Sequence, residues 1–427
     1  MRFQRREFIR QSAGALAGAG LFRRSSFLLS DKLPPVRAIT HGPKYHWFGY
    51  YDKLQFDPTS RYVLGNEVDF EHRSPKADDR IRIGLIDLQD TDRWTEIGES
   101  LAWNWQQGCM LQWLPGSSTE VIWNDRKNDK FISRILNVKT GKSRTLPEPI
   151  YAVSPDAATA VLPDFKRLNA TRPGYGYAGL PDPYAAQAAP KDSGIRQINL
   201  KTGKTRLLVS LAEIAEVPYK KDVKYFNDPV RSKHWFNHLL YNKDGSRFLF
   251  LHRWRQRADD GGTENTRRPF STRMFTCNSD GSDLYVVDPY GQTSHFIWRD
   301  SQHICAWAWH PSHGEKFYLF RDRSEEVEVV GPDVMTVNGH NTYLPGNEWI
   351  LNDTYPDGKR LQHPYLYQVA TGRRVPLGHF HSPPQYTGEW RCDTHPRFSP
   401  DGQKVVIDSP HEGGRQMYLI DISKARE

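Results

Sequence analysis

The chain has 427 residues, 12% of them aromatic, and a formal net charge of +8, with a mean hydropathy of −0.71. That length supports one large domain or two ordinary ones with a full core. Six Arg and one Glu in the first 30 residues leave only about +3 on the rest; with no dense Lys/Arg run elsewhere, nothing argues for a nucleic-acid partner.

The first stretch, MRFQRREFIRQSAGALAGAGLF, reads as an export signal. Arg5-Arg6, then Phe8-Ile9-Arg10 and a short Ala/Gly/Leu run, resemble the signal used by the twin-arginine export machinery for folded proteins. The run is too short and Gly-rich to span a bilayer, and no other stretch is apolar enough for a membrane span. The expectation is a signal over 1–30, a single domain over 31–427, and a periplasmic or secreted location. Cys109, Cys277, Cys305 and Cys392 are scattered singly, which excludes a disulfide scaffold and predicts buried free thiols.

Past residue 45, strand-like runs alternate with Asp-Gly, Pro-Gly and Pro-Asp turns, and no convincing amphipathic helix intervenes. ILNVKTGKSRTL (135–146), INLKTGKTRLL (198–208), FTCNSDGSDLYVV (275–287) and LYQVATGRRVPL (366–377) each predict strand, tight turn, strand. Repeating four-strand units of about 40–60 residues mark propeller blades. They fall near 46–98, 103–147, 149–210, 234–288, 293–331, 338–380 and 393–424. The predicted fold is therefore all-β, a seven-bladed β-propeller. Insertions at 163–194 and 255–270 are long loops of the kind that border a site on a rigid ring.

Aligned on the aromatic before the first turn of each unit, one position repeats. It is Lys53, Met110, Ile150, His238, His295, His340 and His395 in successive blades. First strands line a propeller's channel, so residues in one register converge at one height. Four consecutive imidazoles out of 16 His in the chain predict a functional cluster. Converging imidazoles bind a divalent metal, supply a general base, or do both. Asp393, two positions before His395, shares its face because side chains alternate along a strand.

These residues resemble the oligogalacturonate lyases, seven-bladed propellers that cleave acidic oligosaccharides by β-elimination with manganese. The likeness runs through HWFGYYDKLQF (46–56), His238-x-x-Tyr241, STRMF (271–275), SHFIW (294–298), Gly339-His340 and HPRFSPDG (395–402). The resemblance implies Arg273 and His295 as catalytic Arg and general base, and His340 and His395 as metal ligands. Two departures stand out: Asp393 replaces a second metal His, and Trp390 falls where the family has a metal-binding Gln, the nearest Gln being Gln385. Ulvan lyases, also seven-bladed propellers with His, Tyr and Arg at the site, are a related branch.

β-Elimination at a uronate needs the carboxylate neutralised, a base for the C5 proton, and accommodation of the leaving oxygen. The reading assigns metal to His340, Asp393 and His395, charge neutralisation to Arg273 and proton abstraction to His295. Mn²⁺ leads as the metal, with Zn²⁺ and Ca²⁺ as further candidates. His238, His252, Lys53, His46, Gln107 and Tyr175 are expected to contact an acidic oligo- or polysaccharide, with Tyr177 beside them. The alternative is a non-catalytic propeller, similar to the periplasmic TolB type, that binds protein or glycan. Glycoside hydrolysis ranks lower, because Asp393 is the sole carboxylate placed in the ring register and hydrolysis uses two.

Overall fold

The structure is a computed structural model that describes residues 33–256 and 269–427. The signal assigned to 1–30 and most of the insertion at 255–270 lie outside the described residues. Over the described residues the chain forms seven four-stranded antiparallel sheets arranged as a propeller. In six blades the strands follow in chain order from the axis outward; blade four, for example, uses Ser232–Tyr241, Arg247–Gln256, Ser271–Asn278 and Tyr285–Gly291.

Local chemistry explains the hairpins. In the Lys243-Asp244-Gly245 turn, Asp244 Oδ1 accepts from Ser246 N at 2.9 Å and Gly245 takes φ +74°. The Asp401-Gly402 turn repeats this, with Gln403 N donating to Asp401 at 3.0 Å and Gly402 at φ +66°. Asp satisfies its own turn and Gly accepts the left-handed conformation. Apolar layers then join neighbouring blades. Leu249 and Leu251 of blade four pack with Phe296, Trp298 and Ile304 of blade five in one buried cluster.

Blade seven departs from expectation. The sequence bounds it at 393–424, but its outer strand is Val36–Ala38, paired antiparallel with Gln416–Asp421 through Val36↔Ile420 and Ala38↔Tyr418. A strand of three residues carries too little periodicity to be read alone. Two short helices were also not anticipated: Phe165–Thr171, capped by Asp164, and Leu211–Glu216, with a Ser210/Glu213 capping box. Neither is long enough to show an amphipathic repeat. All four cysteines are buried and free, as expected.

Candidate active site

The register residues do converge. Met110, His238 and His395 sit at positive φ (57°, 50° and 39°), a conformation that costs an L residue roughly 1–2 kcal/mol and has to be held by its surroundings. At His395 the backbone carbonyl accepts from Arg397 Nη1. Arg397 Nη2 bonds Asp408 at 2.7 Å, and Asp408 also receives the Phe48 and Gly49 amides of blade one. A buried ion pair thus holds the blade-seven histidine against blade one. In blade six, a Cβ on Gly339 would lie 1.9 Å from the Asp353 carbonyl oxygen. Only glycine lets the chain press His340 onto Asp353.

Three imidazoles form the centre. The His295 and His340 ring centroids are 4.0 Å apart, and those of His340 and His395 are 4.2 Å apart. His340 Nδ1 bonds the Asp353 carboxylate at 3.0 Å, leaving Nε2 buried without a partner, as is Nε2 of His395. Asp393 lies 3.9 Å from His395 Nε2, and donor atoms of His340, Asp393 and His395 all fall within 4.8 Å of one another. Two orphaned imidazole nitrogens beside a carboxylate fit a divalent cation, and Asp353 behind His340 is the carboxylate–imidazole support that metal-bound histidines use. Thr394 Oγ1 in turn donates to Asp353 at 2.5 Å.

His295 carries a defined tautomer. Its Nδ1 faces Asn338 Oδ1 at 3.0 Å, an acceptor, so Nδ1 holds the proton and Nε2 keeps its lone pair, facing the Tyr355 hydroxyl at 3.3 Å. Burial first, and then neighbouring His340, hold its pKa well below the ordinary histidine value. It is therefore neutral near pH 7. Tyr51 braces it: its hydroxyl donates to the Phe296 carbonyl at 2.7 Å and accepts from the Phe296 amide at 3.0 Å.

His238 belongs to an adjoining group. Its ring stacks on Tyr50 at 5.0 Å, while its Nε2 meets the Tyr50 hydroxyl at 3.3 Å. Its Nδ1 meets the Tyr151 hydroxyl at 3.0 Å and Gln107 Nε2 at 3.3 Å. Lys53 lies over the Tyr151 ring at 4.8 Å and pairs with Asp52 at 3.0 Å. Tyr175 presents its ring edge to His238 at 5.5 Å, and its hydroxyl accepts from Arg391 Nη2 at 2.8 Å. Arg391 Nε also bonds Asp393 at 2.7 Å, which links the two groups. Burial works against ionising Tyr175, yet the charges of Arg391 and Arg172 outweigh it and lower its pKa.

The structure therefore brings together His238, His295, His340, Asp393, His395, Lys53, Gln107 and Tyr175. Four predicted residues are placed elsewhere. Arg273 donates to the backbone carbonyls of Ile214, Val217 and Pro218 and to His252 Nδ1 at 3.2 Å, and lies over Tyr219. Its two Nη groups tie down the end of the helix Leu211–Glu216, so it is a structural anchor here. His252 is used up between Arg273 and His234, and His46 between Gln416 and Glu67. Tyr177 stacks on Phe165 at 4.3 Å as packing.

Sequence reasoning missed Tyr50, Tyr51, Tyr355, Asp353 and Arg391. A signal for Arg391 existed in the spacing Arg391-x-Asp393-x-His395, which strand alternation would put on one face. The strand begins only at Arg397 and His395 has φ 39°, so it is the hydrogen bond from Arg391 to Asp393 that joins them. Asp353 and Tyr355 carry the same spacing one blade earlier.

No protein-family model matches the sequence, and no curated protein matches it significantly. Solved structures do match. An oligogalacturonate lyase in complex with manganese is 14% identical, covering 91% of this chain and 93% of its own, with a TM-score of 0.62. The oligogalacturonate lyase of Vibrio parahaemolyticus is 14% identical, covering 93% and 96%, with a TM-score of 0.63. A puromycin-hydrolyzing peptidase of Mycobacterium tuberculosis, 13% identical, covers 88% of this chain and 52% of its own, with a TM-score of 0.50. The chain shares the propeller fold with the two lyases over nearly its whole length; at this identity the likeness speaks for the fold.

Proposed function

We propose that the protein is a metal-assisted lyase that cleaves uronate-containing acidic glycans by β-elimination. The observation that carries this reading is the pair of orphaned nitrogens, His340 Nε2 and His395 Nε2, set with Asp393 against a neutral His295. His340, Asp393 and His395 would hold a divalent cation, Mn²⁺ foremost, which lowers the charge on a bound uronate carboxylate and so acidifies its C5 proton. His295 Nε2 accepts that proton as the C4=C5 bond forms and the C4–O4 bond breaks. Tyr175, the phenol acidified by Arg391 and Arg172, returns a proton to the leaving oxygen. Asn338 keeps the acceptor nitrogen of His295 pointed inward.

The test uses residues 31–427 loaded with Mn²⁺ and offered oligogalacturonate, ulvan, alginate and glycosaminoglycan fragments. Growth of the ultraviolet absorbance of a 4,5-unsaturated uronate on one of them, abolished by EDTA and by His295→Ala, is the expected result. A protein that binds no metal and yields no unsaturated product would falsify the lyase and leave a glycan- or protein-binding propeller. We also propose export by the twin-arginine route, from Arg5-Arg6 and the apolar run after them. A reporter fused behind residues 1–32 should reach the periplasm, and stay in the cytoplasm when Arg5 and Arg6 are both changed to Lys.

A further inference from the structure

Buried arginines in this fold are compensated. Arg167 pairs with Asp182, Arg247 with Asp283 and Asp322, Arg397 with Asp408, and Arg415 with Glu71, while Arg273 has three backbone carbonyls. Among the described residues, Arg253 differs from these five. It is 4% exposed and lies mid-sheet in blade four between Trp235 and Thr272. Its Nε is buried without a hydrogen-bond partner, as are those of Arg273 and Arg415, but it lacks the carbonyls or carboxylate that those two have. No carboxylate among the described residues pairs with it. Its guanidinium stacks on Phe270 at 4.7 Å.

A second guanidinium shares that ring. Arg172, at the end of the helix Phe165–Thr171, lies 4.9 Å from the Phe270 centroid and 4.9 Å from that of Tyr175, and its Nε is also buried without a partner. Tyr175 meets His238 on one side and Arg391 on the other. Burial and the neighbouring Arg172 charge pull the Arg253 pKa down to about 10, while Tyr175, Tyr50 and Tyr151 act in the other direction. An uncompensated buried charge is expensive, and a planar guanidinium without a partner is shaped for a bidentate oxyanion.

We propose that Arg253, with Arg172, forms an anion subsite beside the metal centre that receives a second acid group of the substrate, a carboxylate on the sugar adjoining the one at His340 and His395. The substrate class is then a glycan with acid groups on neighbouring sugars. This assignment of class rests on the lyase reading; the subsite itself does not, because it needs no metal.

The experiment measures binding to EDTA-treated protein by calorimetry, with trigalacturonate, its fully methyl-esterified form and a sulfated neutral oligosaccharide as probes. Wild type should bind the acid about tenfold or more tightly than the ester, the worth of a desolvated charge pair. Arg253→Met should bring that ratio near one while keeping the native circular dichroism spectrum and Mn²⁺ binding. Its Tm should rise, since an unpaired buried charge has gone; a structural arginine would lower it. Arg172→Met, at a less buried position, should reduce the ratio if Arg253→Met does not fold. A wild type indifferent to esterification, or an Arg253→Met variant that keeps the ratio or weakens both ligands equally, overturns the subsite. Preference for the sulfated probe overturns the carboxylate assignment. A protein with the acid preference but no unsaturated product retains the subsite and loses the lyase.

Discussion

His340 acquires its role from its neighbours. Its Nδ1–H donates to the Asp353 carboxylate, and this sets the tautomer that exposes the Nε2 lone pair to Asp393 and His395. An Asn at position 353 keeps the shape but removes the charge that makes the imidazole a strong ligand. Asp353→Asn is expected to weaken Mn²⁺ binding by ~10–100-fold with little change in fold, read by metal titration and circular dichroism; unchanged affinity would show that His340 does not bind metal. Individual residues were legible where their register was legible. His295, His340 and His395 stand out because four imidazoles repeat in one alignment. Arg273 had an equally clear motif, but a motif states where the backbone runs and not which segment lies against the side chain. The end of the helix Leu211–Glu216 lies there, and its open carbonyls take the guanidinium.

At the scale of elements, the hairpins followed from local chemistry, and the exceptions are informative. The outer strand Tyr285–Gly291 buries Asp288 completely. Burial raises its pKa to about 7, against the hydrogen bonds from Thr293 and Tyr290. For a carboxyl, a raised folded-state pKa means that the native chain holds the proton more tightly than the unfolded chain does. The native state is favoured fully below the unfolded value of 3.8 and loses stability as pH climbs from there to about 7. Asp288→Asn removes that loss and can keep both hydrogen bonds. It should match wild type near pH 4 and exceed it by ~1–3 kcal/mol above pH 7, measured as denaturation midpoints across that range. An advantage that is flat with pH would mean that Asp288 is ionised in the fold. The strands around it were readable from alternation, whereas a buried acid in a strand looks like a surface acid until packing is known.

For the whole molecule, closure decides stability. The strand Val36–Ala38 completes blade seven, so the two ends of the described chain meet in one sheet. Without it, the edge at Tyr418, Leu419 and Ile420 would lie open to other chains. A protein starting at residue 39 should be less stable than one starting at 33 by ~3 kcal/mol and should aggregate on warming. Thermal unfolding followed together with light scattering checks this, and identical curves would show that the ring closes without the strand.

The sequence alone determined the all-β repeat, the blade count and the register that carries His238, His295, His340 and His395. Those features depend on alternation and on turn chemistry, and both act over a few neighbouring residues. Tertiary structure decided which polar groups are left without partners. Arg273 and Arg253 sit on adjoining strands of one blade, yet the first meets three backbone carbonyls and the second shares the Phe270 ring with another arginine. That difference depends on a helix end and a loop brought in from blade three, and on the high cost of leaving a buried charge uncompensated. No local pattern in a strand can encode what packs against it from elsewhere in the chain.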